Sequence, residues 1–143
     1  VTTSDTITRP AQWMSTGDGG AQAVHDLVLA YDPTRPFAAE LRFVLDAGDP
    51  DAVLVWEVAR DLLAQGSASW AGDGDVRVRV WTPLPALCVI ELLDGITGRW
   101  GHFLARRVEL TDFLQETYQL VPEGTEHVDI DAAVAALLTG GGS

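Results

Sequence analysis

Most of the residue types that usually carry chemistry are not spaced to carry it in this chain. The histidines His25, His102 and His127 are far apart, and none has a second donor at zinc-ligand spacing. The acidic turns Asp46-Ala47-Gly48-Asp49-Pro50-Asp51 and Gly72-Asp73-Gly74-Asp75 lack the EF-hand order of oxygen ligands, and Asp and Gly are ordinary turn formers. Ser4, Ser15, Ser67, Ser69 and Ser143 fall in polar loops or termini, with no G-x-S-x-G elbow among them. Glu57 and Asp61 are four apart but straddle a change from strand to helix period. They read as solvated acids, with Asp61 near Arg60 or Arg77. A strand pattern follows Gly72 and Gly74 where a phosphate cradle would need a helix N-terminus. Cys88 lies in the apolar run Leu87–Leu93, reads as a buried structural thiol, and as the lone cysteine excludes an internal disulfide. The sequence therefore assigns no catalytic residue, no metal ligand and no cofactor.

One constellation does suit binding. Arg77 and Arg79 alternate with valines and share a face with Trp81, and Arg99, Arg106 and Arg107 follow closely. Arginine beside tryptophan can stack single-stranded nucleic acid, and it equally supplies the anchors of protein interfaces. The formal net charge of −12 repels phosphate backbones. The candidate surface Arg77, Arg79 and Trp81 is accordingly read as facing a protein, with a single-strand binder as the alternative.

The elements that must position these residues centre on Ala52 to Thr82. Ala52, Leu54, Trp56 and Val58 share one face of a strand, which places Trp56 in the core. A short helix follows, with Val58, Leu62 and Leu63 inward, Arg60 and Asp61 outward, and Gly66 as its left-handed stop. Trp70, in the loop text after Gly66, is expected to fold back over that helix. Past the Gly72–Asp75 turn, Val76, Val78 and Val80 alternate with Asp75, Arg77, Arg79 and Trp81.

Upstream, a weak strand over Ile7–Met14 leaves Trp13 either sealing the core or exposed in an arm. Val24–Tyr31 and Phe37–Leu45 alternate and, with Ala52–Val58, predict an antiparallel meander. Downstream, Ala86–Leu93 and Trp100–Arg107 predict a hairpin pair, with the side taken by Trp100 undecided. Glu91 is the single charge in the first of these strands, so that strand is expected to need a helix or a neighbouring subunit to cover it. Leu110, Leu114, Thr117, Tyr118 and Val121 recur at helical spacing behind Thr111 or Asp112 as cap. A last short helix carries Ile130, Val134, Leu137 and Leu138, and residues 140–143 read as a disordered tail. About seven strands, one internal helix and two C-terminal helices make an α+β chain, and 143 residues suit a single domain. No apolar run reaches the roughly 18 residues of a membrane span, and VTTSDTITRP lacks a secretory layout, so the expectation is a cytoplasmic protein without membrane insertion.

The text W-E-V-A-R-D-L-L-A-Q-G, then G-D-G-D-V-R-V-R-V-W-T-P, F-L-Q-E-T and V-P-E-G-T-E, resembles the SsgA-like family of actinomycete sporulation and cell-division proteins. The residues that carry the likeness are Trp56, Arg60, Asp61, Leu62, Leu63, Gly66, Gly74, Asp75, Val76, Trp81, Pro122 and Gly124. It runs from about Val24 to Leu138, with residues 21–139 as the family core and residues 1–20 as a variable N-terminal arm. Thr82 stands where the family usually has proline after the tryptophan, and two residues look added around Arg77–Val80. The resemblance implies a whirly-like architecture of two antiparallel sheets packed with helices, assembled as a trimer. It also implies a non-enzymatic regulator that recruits or positions the tubulin-like division protein FtsZ at sporulation septa.

Overall fold

The computed structural model describes residues 6–17 and 20–126. Its strands are β1 (Ile7–Thr16), β2 (Gln22–Tyr31), β3 (Ala38–Val44), β4 (Val53–Ala59), β5 (Trp70–Asp73), β6 (Val76–Val80), β7 (Leu87–Leu93) and β8 (Trp100–Arg106). Helix α1 (Arg60–Ala68) joins β4 to β5, and α2 (Arg107–Leu120) follows β8.

All eight strands belong to one antiparallel sheet in the order β4-β3-β2-β1-β8-β7-β6-β5. The expected pair of packed sheets is therefore wrong. The two meanders are joined edge to edge through β1 and β8, where Met14 pairs with Leu104 and Ser15 with Phe103. The strand that makes this seam was legible only as a weak one. Trp13, whose place the sequence left open, is fully buried on it. A single sheet still encloses a core because it curls. Phe43 on β3 and Phe103 on β8 are separated by two strands, which in a flat sheet would hold them about 14 Å apart. Their ring centroids are 5.3 Å apart, with Trp13 at 5.9 and 6.1 Å from them. The inner face carries Leu27, Leu29, Leu41, Val78, Cys88 and Ile90, and α1 and α2 add Leu63, Leu110 and Phe113.

The meander β2-β3-β4 has the expected register, with Leu29 opposite Leu41 and Leu41 opposite Trp56. Trp56 faces inward but is only half-buried, because β4 is an edge of the sheet and has a neighbour on one side alone. Strand β7 is not an edge. It lies between β6 and β8, so both of its backbone edges are paired, and Cys88, Val89, Ile90 and Leu92 are buried within the chain itself. A fifth strand, β5, occupies text that reads as a loop, and Trp70 points outward from it with 55% of its surface exposed.

Two local readings of α1 are also corrected. Val58 is still in β4, so the helical phase starts at Arg60 and buries Arg60, Leu63, Gly66 and Ser67. That is an i, i+3, i+6, i+7 face, and it turns Arg60 inward. Gly66 lies inside the helix, not at its stop, and a Cβ there would fall 2.4 Å from Val78 Cβ. Glycine is needed for close approach to β6 and not for a left-handed cap. Helix α2 begins before Thr111 and Asp112, without a side-chain cap. The second C-terminal helix, the tail and His127 lie outside the described residues.

Candidate functional site

The face of the sheet turned away from the helices holds the residues of interest. Gly74 takes φ +60° at the first position of the two-residue turn between β5 and β6, as a hairpin of this kind requires. That turn sets the register Trp70 opposite Arg79 and Gly72 opposite Arg77. Val76 and Val78 are buried on the inner side, and Asp75 accepts the Leu93 backbone N–H at 2.8 Å. Arg77 and Arg79 therefore point outward, as the alternation predicts. Opposite Arg77 stand Glu91 on β7 and, beyond it, His102 on β8.

Glu91 is a nearly buried carboxylate that three cationic or potentially cationic groups share. His102 Nδ1 lies 2.8 Å from it, and Arg77 and Arg79 each approach to 3.8 Å. The Arg77 guanidinium sits 3.6 Å over the ring of Trp100, a close cation–π contact. On the other side, a Cβ at Gly72 would lie 3.1 Å from Arg77 Cγ and 3.3 Å from the Trp70 ring. Glycine at 72 thus lets Trp70, Arg77 and Trp100 lie side by side. Trp81, just past β6, is half-buried and joins Arg79, His102, Thr16, Val89, Phe103 and Leu104 around a shallow groove. The structure brings Arg77, Arg79 and Trp81 onto one surface. Arg107 leaves it, its Nε donating to the Ser67 carbonyl at 2.7 Å. Glu91, His102 and Trp100 were not singled out as site residues, because only strand register places them beside Arg77.

The remaining signature residues form a structural clamp on the other side of the sheet. Arg60 and Glu126 make an ion pair of 2.5 Å with side chains only 1% and 6% exposed. Arg60 Nη1 also donates to the carbonyls of Thr117 at 3.1 Å and Val121 at 2.7 Å. Its guanidinium lies between the rings of Tyr118 and Tyr31, at 4.1 and 5.1 Å. The Tyr118 hydroxyl donates to Asp61 at 2.7 Å, and the Tyr31 hydroxyl to the Pro36 carbonyl at 2.9 Å. Gly124 takes φ +84° after Pro122, which turns the Gly124 N–H onto the second oxygen of Glu126 at 2.7 Å. Leu62 and Leu63 pack the same helix onto the core. Burial raises the phenol pKa of both tyrosines, and the Asp61 carboxylate raises that of Tyr118 further. Hydrogen bonds from its own backbone amide and from Arg60 hold Glu126 below the ordinary carboxylate range. An arginine whose two terminal nitrogens are both engaged in this way, with only the buried Nε left without a partner, fastens the end of α2 to the start of α1. It is not free to act on a substrate.

Among the described residues, no cluster of three or more His, Cys, Asp or Glu could hold a metal ion, and no helix is long and apolar enough to cross a membrane. One concavity of about 600 Å3 is an open groove over β1, β2 and β8 lined mainly by apolar residues such as Pro10, Met14, Val24 and Leu104.

A curled antiparallel sheet, a helix clamp built from A-R-D-L-L and V-P-E-G-T-E, and an outward arginine–tryptophan row together define the class. The chain belongs to the SsgA family: the family model described as Streptomyces sporulation and cell division protein, SsgA, matches residues 26–126. Its relatives include the sporulation-specific cell division protein SsgB of Saccharopolyspora erythraea, 40% identical over 81% of this chain and 89% of that one. The SsgB protein of Frankia casuarinae is 36% identical over 96% and 94%. Among solved structures, an SsgA-like sporulation-specific cell division protein from Thermobifida fusca superposes with a TM-score of 0.79 at 28% identity, covering 94% of this chain and 97% of that one. SsgB, whose mutations correlate to longitudinal cell division during sporulation of Streptomyces coelicolor, superposes with a TM-score of 0.76 at 28% identity, covering 89% and 97%.

Proposed function

We propose that this protein acts without catalysis in sporulation-specific cell division, recruiting or positioning the FtsZ-based division machinery at septa through its outward sheet face. It works in the cytoplasm and is drawn to the septum by that contact. The observation that carries this reading is the outward set Arg77, Arg79 and Trp81, the two arginines sharing Glu91 and Trp81 lying beside Arg79, on a chain of net charge −12. Such a surface has the arginine and tryptophan anchors of a protein interface, and the acidic remainder disfavours nucleic acid.

The assembly that presents this surface is a homo-oligomer, and we assign it as a trimer on the family resemblance. Its support here is an outer face of β2–β4 on which Val24, Val44 and Val55 are exposed among charged residues such as Arg42 and Glu57, a mixed surface that a subunit contact could cover. Several copies of one weak site would then engage a polymer with an avidity none has alone. Deleting the gene in its sporulating host tests the function. The expected outcome is normal vegetative growth with loss or misplacement of sporulation septa. Septa of normal number and position would overturn it.

A further inference from the structure

On the outward face of β6–β8, two guanidiniums converge on one carboxylate. Four other arginines each meet one carboxylate: Arg9 with Glu116, Arg35 with Glu57, Arg42 with Glu40 and Arg60 with Glu126. Here Arg77 and Arg79 share the single carboxylate of Glu91, and His102 leans on it as well. Two guanidiniums thus face one shared carboxylate, with Asp75 two residues before Arg77, on a chain whose formal net charge is −12. At 3.8 Å neither arginine contact is a hydrogen bond, so both guanidiniums keep donors to offer. Their side chains are 39% and 43% exposed, while Arg77 Nε is itself buried without a hydrogen-bond partner among the described residues.

The geometry is linear. Arg77 and Arg79 are two apart on one strand, which puts their origins about 6.6–6.8 Å apart along β6. A chain lying extended along β6 repeats its own side chains at the same interval. Carboxylates at every second position of such a chain would meet both guanidiniums in register. Trp70 and Trp100 flank Arg77, and Trp81 lies beside Arg79, supplying apolar walls for the intervening contacts. The groove by Trp81 holds about 220 Å3, room for a side chain but below the size of a small-molecule pocket.

We infer that this face docks an acidic segment of a partner protein in extended conformation, with Asp or Glu at alternate positions paired to Arg77 and Arg79. The inference rests on the surface proposed above and adds the chemistry and spacing of what it binds.

The test uses the full chain and a fluorescent synthetic peptide with glutamate at every second position and threonine between. A second peptide has the same composition with its glutamates in one block. Anisotropy at low ionic strength should show the alternating peptide binding more tightly than the block peptide, and weakening as salt is added. Arg77→Gln with Arg79→Gln should raise its Kd at least about tenfold, the loss expected for one charged hydrogen bond or more. Arg9→Gln with Arg35→Gln, which changes net charge equally at distant exposed pairs, should leave it within about twofold. Equal affinity for the two peptides, equal loss in both double variants, or tighter binding of an oligothymidine strand would each overturn the inference. Septal placement of the Arg77/Arg79 variant separates the two levels. If placement is lost while no acidic peptide binds, the surface stands and the acidic occupant is wrong. If placement is intact, the surface is wrong as well.

Discussion

Replacing Arg60 by methionine isolates the clamp, because methionine keeps most of the buried stem and removes only the guanidinium. That group donates to the carbonyls of Thr117 and Val121, pairs with Glu126 and stacks against Tyr31 and Tyr118. Each buried acceptor left without its donor costs about 1–3 kcal/mol, and losing one member of a buried pair costs about 3–5 kcal/mol overall. Domains of this size have about 5–15 kcal/mol in total, so Arg60→Met should lower the melting temperature by about 10–20 °C. Arg60→Lys should recover little, since one ammonium cannot span two carbonyls and a carboxylate. The comparison is Arg35→Met, whose ion pair with Glu57 has side chains 57% and 48% exposed and should be worth under about 1 kcal/mol. Urea unfolding followed by tryptophan fluorescence measures all three. If Arg60→Met costs no more than Arg35→Met, the clamp does not hold α2 to α1 and the reading of Arg60 and Glu126 as a fastening is refuted.

Gly66→Ala should destabilise by about 1–3 kcal/mol in the same unfolding assay, because contact with Val78 outweighs the roughly 1 kcal/mol gain in helix propensity; a stabilised variant would contradict the close packing of α1 on β6. Trp13→Ala should cost about 3–5 kcal/mol and Trp56→Ala distinctly less, since Trp13 is fully buried and Trp56 lies half-buried on an edge strand. The chain has two tyrosines, Tyr31 and Tyr118, both with pKa raised above 10.0. A raised folded pKa means that their stabilising contribution is complete below that value and is lost as pH rises above it. Ultraviolet titration should therefore show no tyrosinate at pH values where a free tyrosine ionises, until the protein unfolds; early ionisation would contradict the burial.

The sequence was most informative where one element decides its own pattern. Valines at 76, 78 and 80 alternate with arginines, and that alone sends Arg77 and Arg79 outward. It was least informative where partners are remote. Nothing in the text ALCVIELL says that Glu91 meets Arg77 and His102, because that depends on which strands are neighbours. The sheet count failed for the same reason: β1 looks weak in isolation, yet its pairing with β8 merges two meanders into one curled sheet. Arg60 was misplaced by counting helical period from Val58, which still obeys the strand period. A buried charge also defies the usual polarity rule until Glu126, far along the chain, is brought to it.

Direct binding to polymerised FtsZ, measured by co-sedimentation of the full chain and of its Arg77→Gln/Arg79→Gln variant, tests the central claim most directly. The unaltered protein should pellet with the polymer, and the variant, still folded by its tryptophan fluorescence, should stay in the supernatant. Equal pelleting of the two proteins, or no pelleting of either, would contradict that claim.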